Sequence, residues 1–373
     1  MQRSLVAYLL LQFLFILPYT AEGSEQLTLR MLTWDGYAPP TAQKRFQRII
    51  AHKFGIDLQF EIEYASNPDD YYNKIRSGAV DLISPAHNIP RDSRYNLTQN
   101  GVTIPINLGN IPNYQNLLPQ LSKQPWAMDN GRVYAVPIVH GFYSLAYNSS
   151  IIKEPPTSWN IFWDQEYAGK YTVNKDYYEL NVYIAALALG ARKDDIFHYD
   201  TIKGNKLEAR LHKLAANAAS FWSGFDKPVH FRNVALATTW RFAFPQTNEM
   251  LKDWRVAEPR EGTPWTIDTI MLGKTLKDNE PLKTIAELWI NFLLEPENQV
   301  EIFANGIGTC PVTNEAWDMY TTYYLSPAER ERLERLFTNL IPWQILKTRD
   351  RNAFLLLWRE ALAERRELLN SEN

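Results

Sequence analysis

Met31-Leu32-Thr33-Trp34-Asp35-Gly36-Tyr37-Ala38-Pro39-Pro40 is the stretch from which the fold is read. Leu27, Leu29 and Met31 alternate into it, the period of a strand entering a core. Gly36 and Pro39-Pro40 cannot continue a ladder. Trp34 and Tyr37 therefore fall on a loop at the carboxyl end of a buried first strand. Open α/β sheets bind ligands at that edge. Two readings stay open here: rings packed under the next helix, or rings presented to a ligand.

Outward from this stretch the pattern is β-α-β-α-β. Phe46, Ile49, Ile50 and Phe54 recur at helical spacing, and Gly55 ends the helix. Leu58, Phe60, Ile62 and Tyr64 alternate as a strand. Ser66-Asn67-Pro68 opens a second helix carrying Tyr72, Ile75 and Ala79, and Val80 to Ile83 is a short strand ending at Pro85. Such an order calls for parallel strands with helices across them.

At 373 residues the chain exceeds one ordinary core and suits two α/β lobes. The expected division is 24–144 for the first lobe, 145–264 for the second, and 265–373 for a return to the first lobe with the C-terminal helices. Within the second lobe, Tyr171 to Val173 and Val234 to Thr239 read as strands, and Asn174 caps a helix from Tyr177 to Leu189. Ser326-Pro327-Ala328-Glu329 is a capping box, and Phe354, Leu357, Trp358, Ala361 and Leu362 stripe the last helix.

Residues 1–23 read as a cleaved secretory signal. Arg3 precedes an apolar run, Leu5 to Leu17, and Ala21-Glu22-Gly23 is a small-x-small cleavage site. The run is shorter than the ~20 residues a spanning helix needs. A mature chain starting near Ser24 in the periplasm is the expectation. Its one cysteine, Cys310, leaves no internal disulfide, so stability rests on the core.

A net charge of −3 lacks the basic face that nucleic acid requires. The sequence carries no phosphate loop, no His-Glu-x-x-His, no Gly-x-Ser-x-Gly and no Cys-x-x-Cys, and its histidines lack metal-ligand spacing. No catalytic residue, metal or cofactor is expected. Aromatic residues make up 13% of the chain and stand beside acids at the ends of apparent strands. Trp34 with Asp35 and Tyr37 is one such place. Asp176 and Glu179, at i and i+3, share a face at a helix start, which also suits the helix dipole. Trp240 closes a strand, Trp265 and Asp268 precede a returning strand, and Trp343-Gln344 follows a helix. Rings and carboxylates together describe a site for an elongated organic cation, each ring facing an ammonium giving about 0.5–2 kcal/mol.

The motif Trp34-Asp35-Gly36-Tyr37-Ala38-Pro39-Pro40 also resembles the first-strand motif of the bacterial periplasmic spermidine/putrescine-binding proteins. Thr157-Ser158-Trp159 through Trp163, Glu166-Tyr167 and Gly169-Lys170 resemble a second family segment, and Val136-Pro137, Gly141 and Asn148 a third. The resemblance covers nearly the whole mature chain. It implies two lobes, each a mixed sheet flanked by helices, with a ligand cleft between them. It implies an aromatic box of Trp34, Tyr37, Trp240 and Trp265, amine-binding acids Asp176, Glu179 and Asp268, and the glutamine Gln344. It further implies a monomer that captures spermidine, norspermidine or putrescine and delivers it to an inner-membrane ABC permease. Some relatives instead report polyamines to a membrane-bound sensor controlling cyclic-di-GMP and biofilm formation.

Several positions depart from the family pattern. Pro85-Ala86-His87-Asn88 replaces a hydroxyl and an aromatic, which brings His87 forward as a first-lobe contact. Trp265 and Asp268 are one residue further apart than the family's ring and acid. Arg241, beside Trp240, opposes a cationic ligand unless it turns away, and Asp35 is an extra acid. Two other classes remain: a binder of an amino acid or anion, for which Arg241 is the candidate, and an exported glycosidase, for which Asp176 and Glu179 lie too much on one side.

Overall fold

The computed structural model describes residues 25–66, 68–241 and 248–371. The expected signal segment, 1–23, lies outside the described residues. The elements that matter for the site are, in chain order, β1 (Gln26–Thr33), α1 (Pro40–Phe54), β2 (Asp57–Tyr64), α2 (Pro68–Ser77), β3 (Leu82–Ile83), β4 (Ala135–Phe142), β5 (Ser144–Asn148), β6 (Tyr171–Asn174), α3 (Tyr178–Ala188), α4 (Asn205–Ala216), β7 (Ser220–Trp222), β8 (Leu236–Thr239), β9 (Trp254–Val256), β10 (Thr263–Gly273), α5 (Glu280–Leu293), β11 (Leu340–Pro342) and α6 (Thr348–Ser371).

β1 and β2 pair in parallel along their whole length, from Gln26 with Asp57 to Thr33 with Tyr64. α1 crosses between them. It starts at Pro40 in its first turn and ends on Gly55 in the left-handed region. Its buried stripe is Ala42, Phe46 and Ile50, while Ile49 and Phe54 stay exposed. On α2 the buried ring is Tyr71, at i,i+4 to Ile75, rather than the half-buried Tyr72.

The fold is α/β and two-lobed. The first sheet runs β11-β10-β3-β1-β2, with β4 and a short strand at Thr103–Ile104 also pairing with β10. The second runs β7-β6-β8-β5-β9. The chain passes from first sheet to second between β4 and β5, and back between β9 and β10. These crossings lie side by side, where the Tyr143 N–H donates to the Pro264 carbonyl (2.8 Å). Each sheet carries its own apolar core, one around Leu29, Phe46 and Trp289, the other around Trp159, Tyr183 and Trp222.

Residues 265–373 do not all rejoin the first lobe. β10, α5 and β11 do, but α6 packs against α3 and α4 of the second lobe. Phe354, Leu357, Trp358 and Ala361 enter the second core with Leu211 and Tyr183. The periodicity of α6 announces an apolar face. It cannot say which layer that face covers, since both lobes offer an apolar helical surface.

Candidate functional site

The opening motif is a turn that delivers two rings. The Tyr37 N–H donates to the Trp34 carbonyl (3.2 Å). Gly36 has φ +94°, and a Cβ there would meet Ile307 Cγ2 at 2.6 Å, so only glycine fits. Trp34 stands edge-on to Tyr71 (5.6 Å), and Tyr37 edge-on to Phe303 (5.5 Å). The Tyr37 hydroxyl reaches across to donate to Asp268 Oδ2 at 2.5 Å.

These residues wall a cavity of about 230 Å³ between the lobes. That is smaller than the ~300–1,000 Å³ usual for drug-sized ligands, and suits a slim one. The first lobe contributes Trp34, Tyr37, Tyr71 and Asp268. The second contributes Asp176, Tyr177, Glu179 and Trp240, and the segment before α6 contributes Trp343. Asn174 Oδ1 accepts from the backbone N–H groups of Asp176 and Tyr177, both at 2.7 Å, which sets the start of α3 against the cavity. The Trp240 N–H donates to buried Asp226 (3.0 Å). Its ring lies near-parallel to Trp343, centroids 6.3 Å apart, with Tyr177 edge-on to both.

Two carboxyl groups in this wall are electrostatically unusual. Burial pushes Asp268 up to about 7, although the Tyr37 hydrogen bond pulls it back. Burial likewise pushes Glu179 up to about 7, opposed by a hydrogen bond from Tyr178 and by the charges of Arg94 and Arg351. Neither pairs with a cation among the described residues. Asp176 is exposed at the rim, where it accepts from the Gly224 N–H at 3.3 Å.

Of the residues singled out in the sequence, Trp34, Tyr37, Asp176, Glu179, Trp240 and Asp268 converge on this cavity. Four others do not. Trp265 points to the opposite face of β10, where its indole N–H donates to His140 Nδ1 (3.0 Å) and its ring meets the third apolar cluster. Side chains alternate along a strand, so Asp268 shares its face with Thr266, and the odd spacing from Trp265 puts ring and acid on opposite sides. Gln344 is exposed, and the cavity is lined by its neighbour Trp343. His87 is buried. Its Nδ1 accepts from the Ile267 N–H (3.1 Å) and its Nε2 donates to the Trp343 carbonyl (2.9 Å), a bracing role for the neutral ring. Burial lowers it to about 4. Asp35 lies outside the cavity and pairs with Lys227 of the second lobe at 3.1 Å, an exposed ion pair between the lobes.

Arg241 turns away from the cavity. It is buried against Asp226 (3.1 Å) and donates to the Ile307 carbonyl (2.9 Å). The sequence reading missed Tyr71 and Tyr177, and of the pair Trp343-Gln344 it took the glutamine rather than the ring as the contact. Tyr177 sits between the two acids already singled out, and Trp343 beside the glutamine; only Tyr71, on a helix, lacked a local signal. It also missed that Arg94, Arg351 and Arg359 line the cavity. Among the described residues no group of acids, histidines and cysteine is arranged to hold a metal ion, and no helix is long and apolar enough to cross a membrane.

The fold has solved counterparts of low sequence identity. One is described as a spermidine/putrescine ABC transporter from Listeria monocytogenes, with TM-score 0.70, 20% identity, and 90% of this chain and 98% of that chain covered. Another is the spermidine/putrescine ABC transporter substrate-binding protein PotD from Streptococcus pneumoniae, with TM-score 0.69, 19% identity, and 92% and 100% covered. The TpPotD lipoprotein of Treponema pallidum gives TM-score 0.68, 19% identity, and 90% and 99% covered. At these identities the likeness is one of fold. The sequence itself matches the model of the bacterial extracellular solute-binding proteins over residues 79–323, more than half its length. With two lobes, a cleft between them and that match, the chain belongs to the bacterial extracellular solute-binding protein family.

Proposed function

We propose that this protein binds a short linear polyamine, such as putrescine, spermidine or norspermidine, in the cleft between its lobes, without catalysis. The observation that carries the reading is the pair Asp268 and Glu179, two half-buried carboxyls without cationic partners, facing one ring-lined cavity. An ammonium group between them neutralises charge that is otherwise costly to bury. Trp34, Tyr177, Trp240 and Trp343 face the alkyl links and the cations. Arg241, the candidate for an anion site, supports no anion here, because Asp226 and a backbone carbonyl occupy it. The spermidine/putrescine proteins named above share the fold and so agree with the reading.

Such a protein, exported to the periplasm, hands its ligand to an ABC permease in the inner membrane. A thermal-shift panel with putrescine, spermidine, norspermidine, basic amino acids and simple anions tests the binding. At 100 times its dissociation constant a ligand adds about 2.7 kcal/mol. A shift with anions and none with amines overturns the reading. Polyamine uptake lost on gene deletion supports the permease as partner. Unchanged uptake with altered biofilm mass supports a membrane sensor instead.

A further inference from the structure

The start of α2 forms part of the cavity wall, through Ser66 just before it and Pro68, Asp69 and Tyr71 on it. Of these four residues only Tyr71 is buried, and it is buried completely. Its ring stands edge-on to Trp34, centroids 5.6 Å apart. Its hydroxyl is buried as well and has no hydrogen-bond partner among the described residues. A phenolic hydroxyl both donates and accepts hydrogen bonds. Burying it with no partner costs stability. Phenylalanine would fill the same face of α2, at i,i+4 to Ile75, without that cost. Packing alone therefore does not account for a tyrosine at this position.

Of the polar side-chain atoms buried without a partner among the described residues, four belong to residues lining this cavity: the Tyr71 hydroxyl, Asn88 Oδ1, His140 Nε2 and Trp343 Nε1. His140 Nδ1 accepts from Trp265, so Nε2 carries the ring proton, and an indole nitrogen is a donor only. An ammonium is also a donor only and pairs with neither. Asn88 is partly exposed, and rotation of its amide can turn the oxygen toward water. The Tyr71 oxygen is held in place by its buried ring. It is the acceptor that the first-lobe wall offers beside the Trp34 ring and that the protein itself leaves unused.

Building on the amine-binding reading, we propose that Tyr71 is a ligand-contacting residue of the cleft: its hydroxyl oxygen accepts a hydrogen bond from an N–H of the bound amine, next to the Trp34 ring. α2 thereby becomes a recognition element of the first lobe, together with the turn that carries Trp34 and Tyr37.

The test is titration calorimetry with spermidine, norspermidine and putrescine on the native protein, on Tyr71→Phe and on Tyr72→Phe, with a thermal melt of each protein free of ligand. Tyr72 is the half-buried neighbour on α2 and does not line the cavity, so loss of its hydroxyl is the matched control. Tyr71→Phe should weaken amine binding about tenfold or more, the worth of a hydrogen bond from a charged group. Its ligand-free melting point should hold or rise, because a buried hydroxyl without a partner is gone. Tyr72→Phe should keep amine affinity to within roughly twofold, as substitutions away from a contact do. Native affinity in Tyr71→Phe, or an equal loss in Tyr72→Phe, overturns the contact and leaves amine binding intact. An affinity loss in Tyr71→Phe that comes with a lowered melting point also overturns it, since the hydroxyl would then be supporting the wall. Native protein that takes up none of the three amines overturns the amine-binding reading, and the contact with it.

Discussion

The Tyr37 hydroxyl and Asp268 Oδ2 meet at 2.5 Å, joining the loop after β1 to the middle of β10. The bond spans elements 231 residues apart in sequence and fixes the acid in the cavity wall. Asp268→Asn keeps the shape and an acceptor for the hydroxyl, but removes the charge. Polyamine affinity should fall by about 1.5–3 kcal/mol, the worth of a hydrogen bond to a charged group. The ligand-free melting point at pH 8 should hold or rise, because a half-buried charge is gone. Calorimetry and thermal melts read the two effects, and unaltered affinity would remove Asp268 from the site.

Polyamine binding should strengthen from pH 6 to pH 8. Asp268 and Glu179 hold protons to about 7, and an ammonium prefers the ionised form. Below pH 7 each carboxyl must release its proton on binding, at up to ~tenfold in affinity per pH unit. Titrations in buffers of different ionisation enthalpy should show that release. For the ligand-free protein the sign is opposite. The folded acids bind more protons than the unfolded ones, so their contribution to stability is lost as pH rises through about 7. Buried His87 and His140, lowered to about 4 and about 3, act the other way below pH ~6.5, where the unfolded chain takes up protons first. The decline should therefore show cleanly between pH 6.5 and 8.

Trp343 and Trp265 should separate binding from stability. Trp343→Leu removes a ring that faces the cavity and should lower polyamine affinity by roughly 0.5–2 kcal/mol. Trp265→Ala leaves the cavity wall in place but empties space beside His140 and Trp317, and should cost roughly 3–5 kcal/mol of stability. The conservative Trp265→Phe should bind polyamine as the native protein does. A large affinity loss in that variant would return Trp265 to the site.

Gly36→Ala should damage binding without touching a contact. The residue sits at φ +94° with Ile307 at 2.6 Å from the added methyl. The conformational penalty alone is about 1–2 kcal/mol, and the turn must shift to relieve the clash. Trp34 and Tyr37 move with it. Weakened polyamine binding together with a lowered melting point is the expected outcome. Native affinity would show that the turn tolerates the shift.

Much of this site was legible because its residues cluster locally. Trp34 and Tyr37 stand in one broken strand end, and Asp176 and Glu179 on one helix start. Strand and helix periods carried the β-α-β-α-β order, and the capping residues at Pro40, Gly55 and Ser326 marked helix ends that the structure repeats. These are short-range properties, set by backbone sterics and local hydrogen bonds, and a single sequence contains them.

What only the tertiary structure decided is which side of an element faces which partner. Trp265 and Asp268 lie on one strand, yet the two-residue alternation sends the ring into one core and the acid into the cleft. Gln344 yields to Trp343 for the same reason, one residue's change of face. Tyr71 enters the cavity from the buried face of α2, and α6 crosses to the second lobe, bringing Arg351 and Arg359 with it. Periodicity states that a face exists. The layer it covers is chosen by packing between segments hundreds of residues apart, a choice made by the summed burial of both lobes.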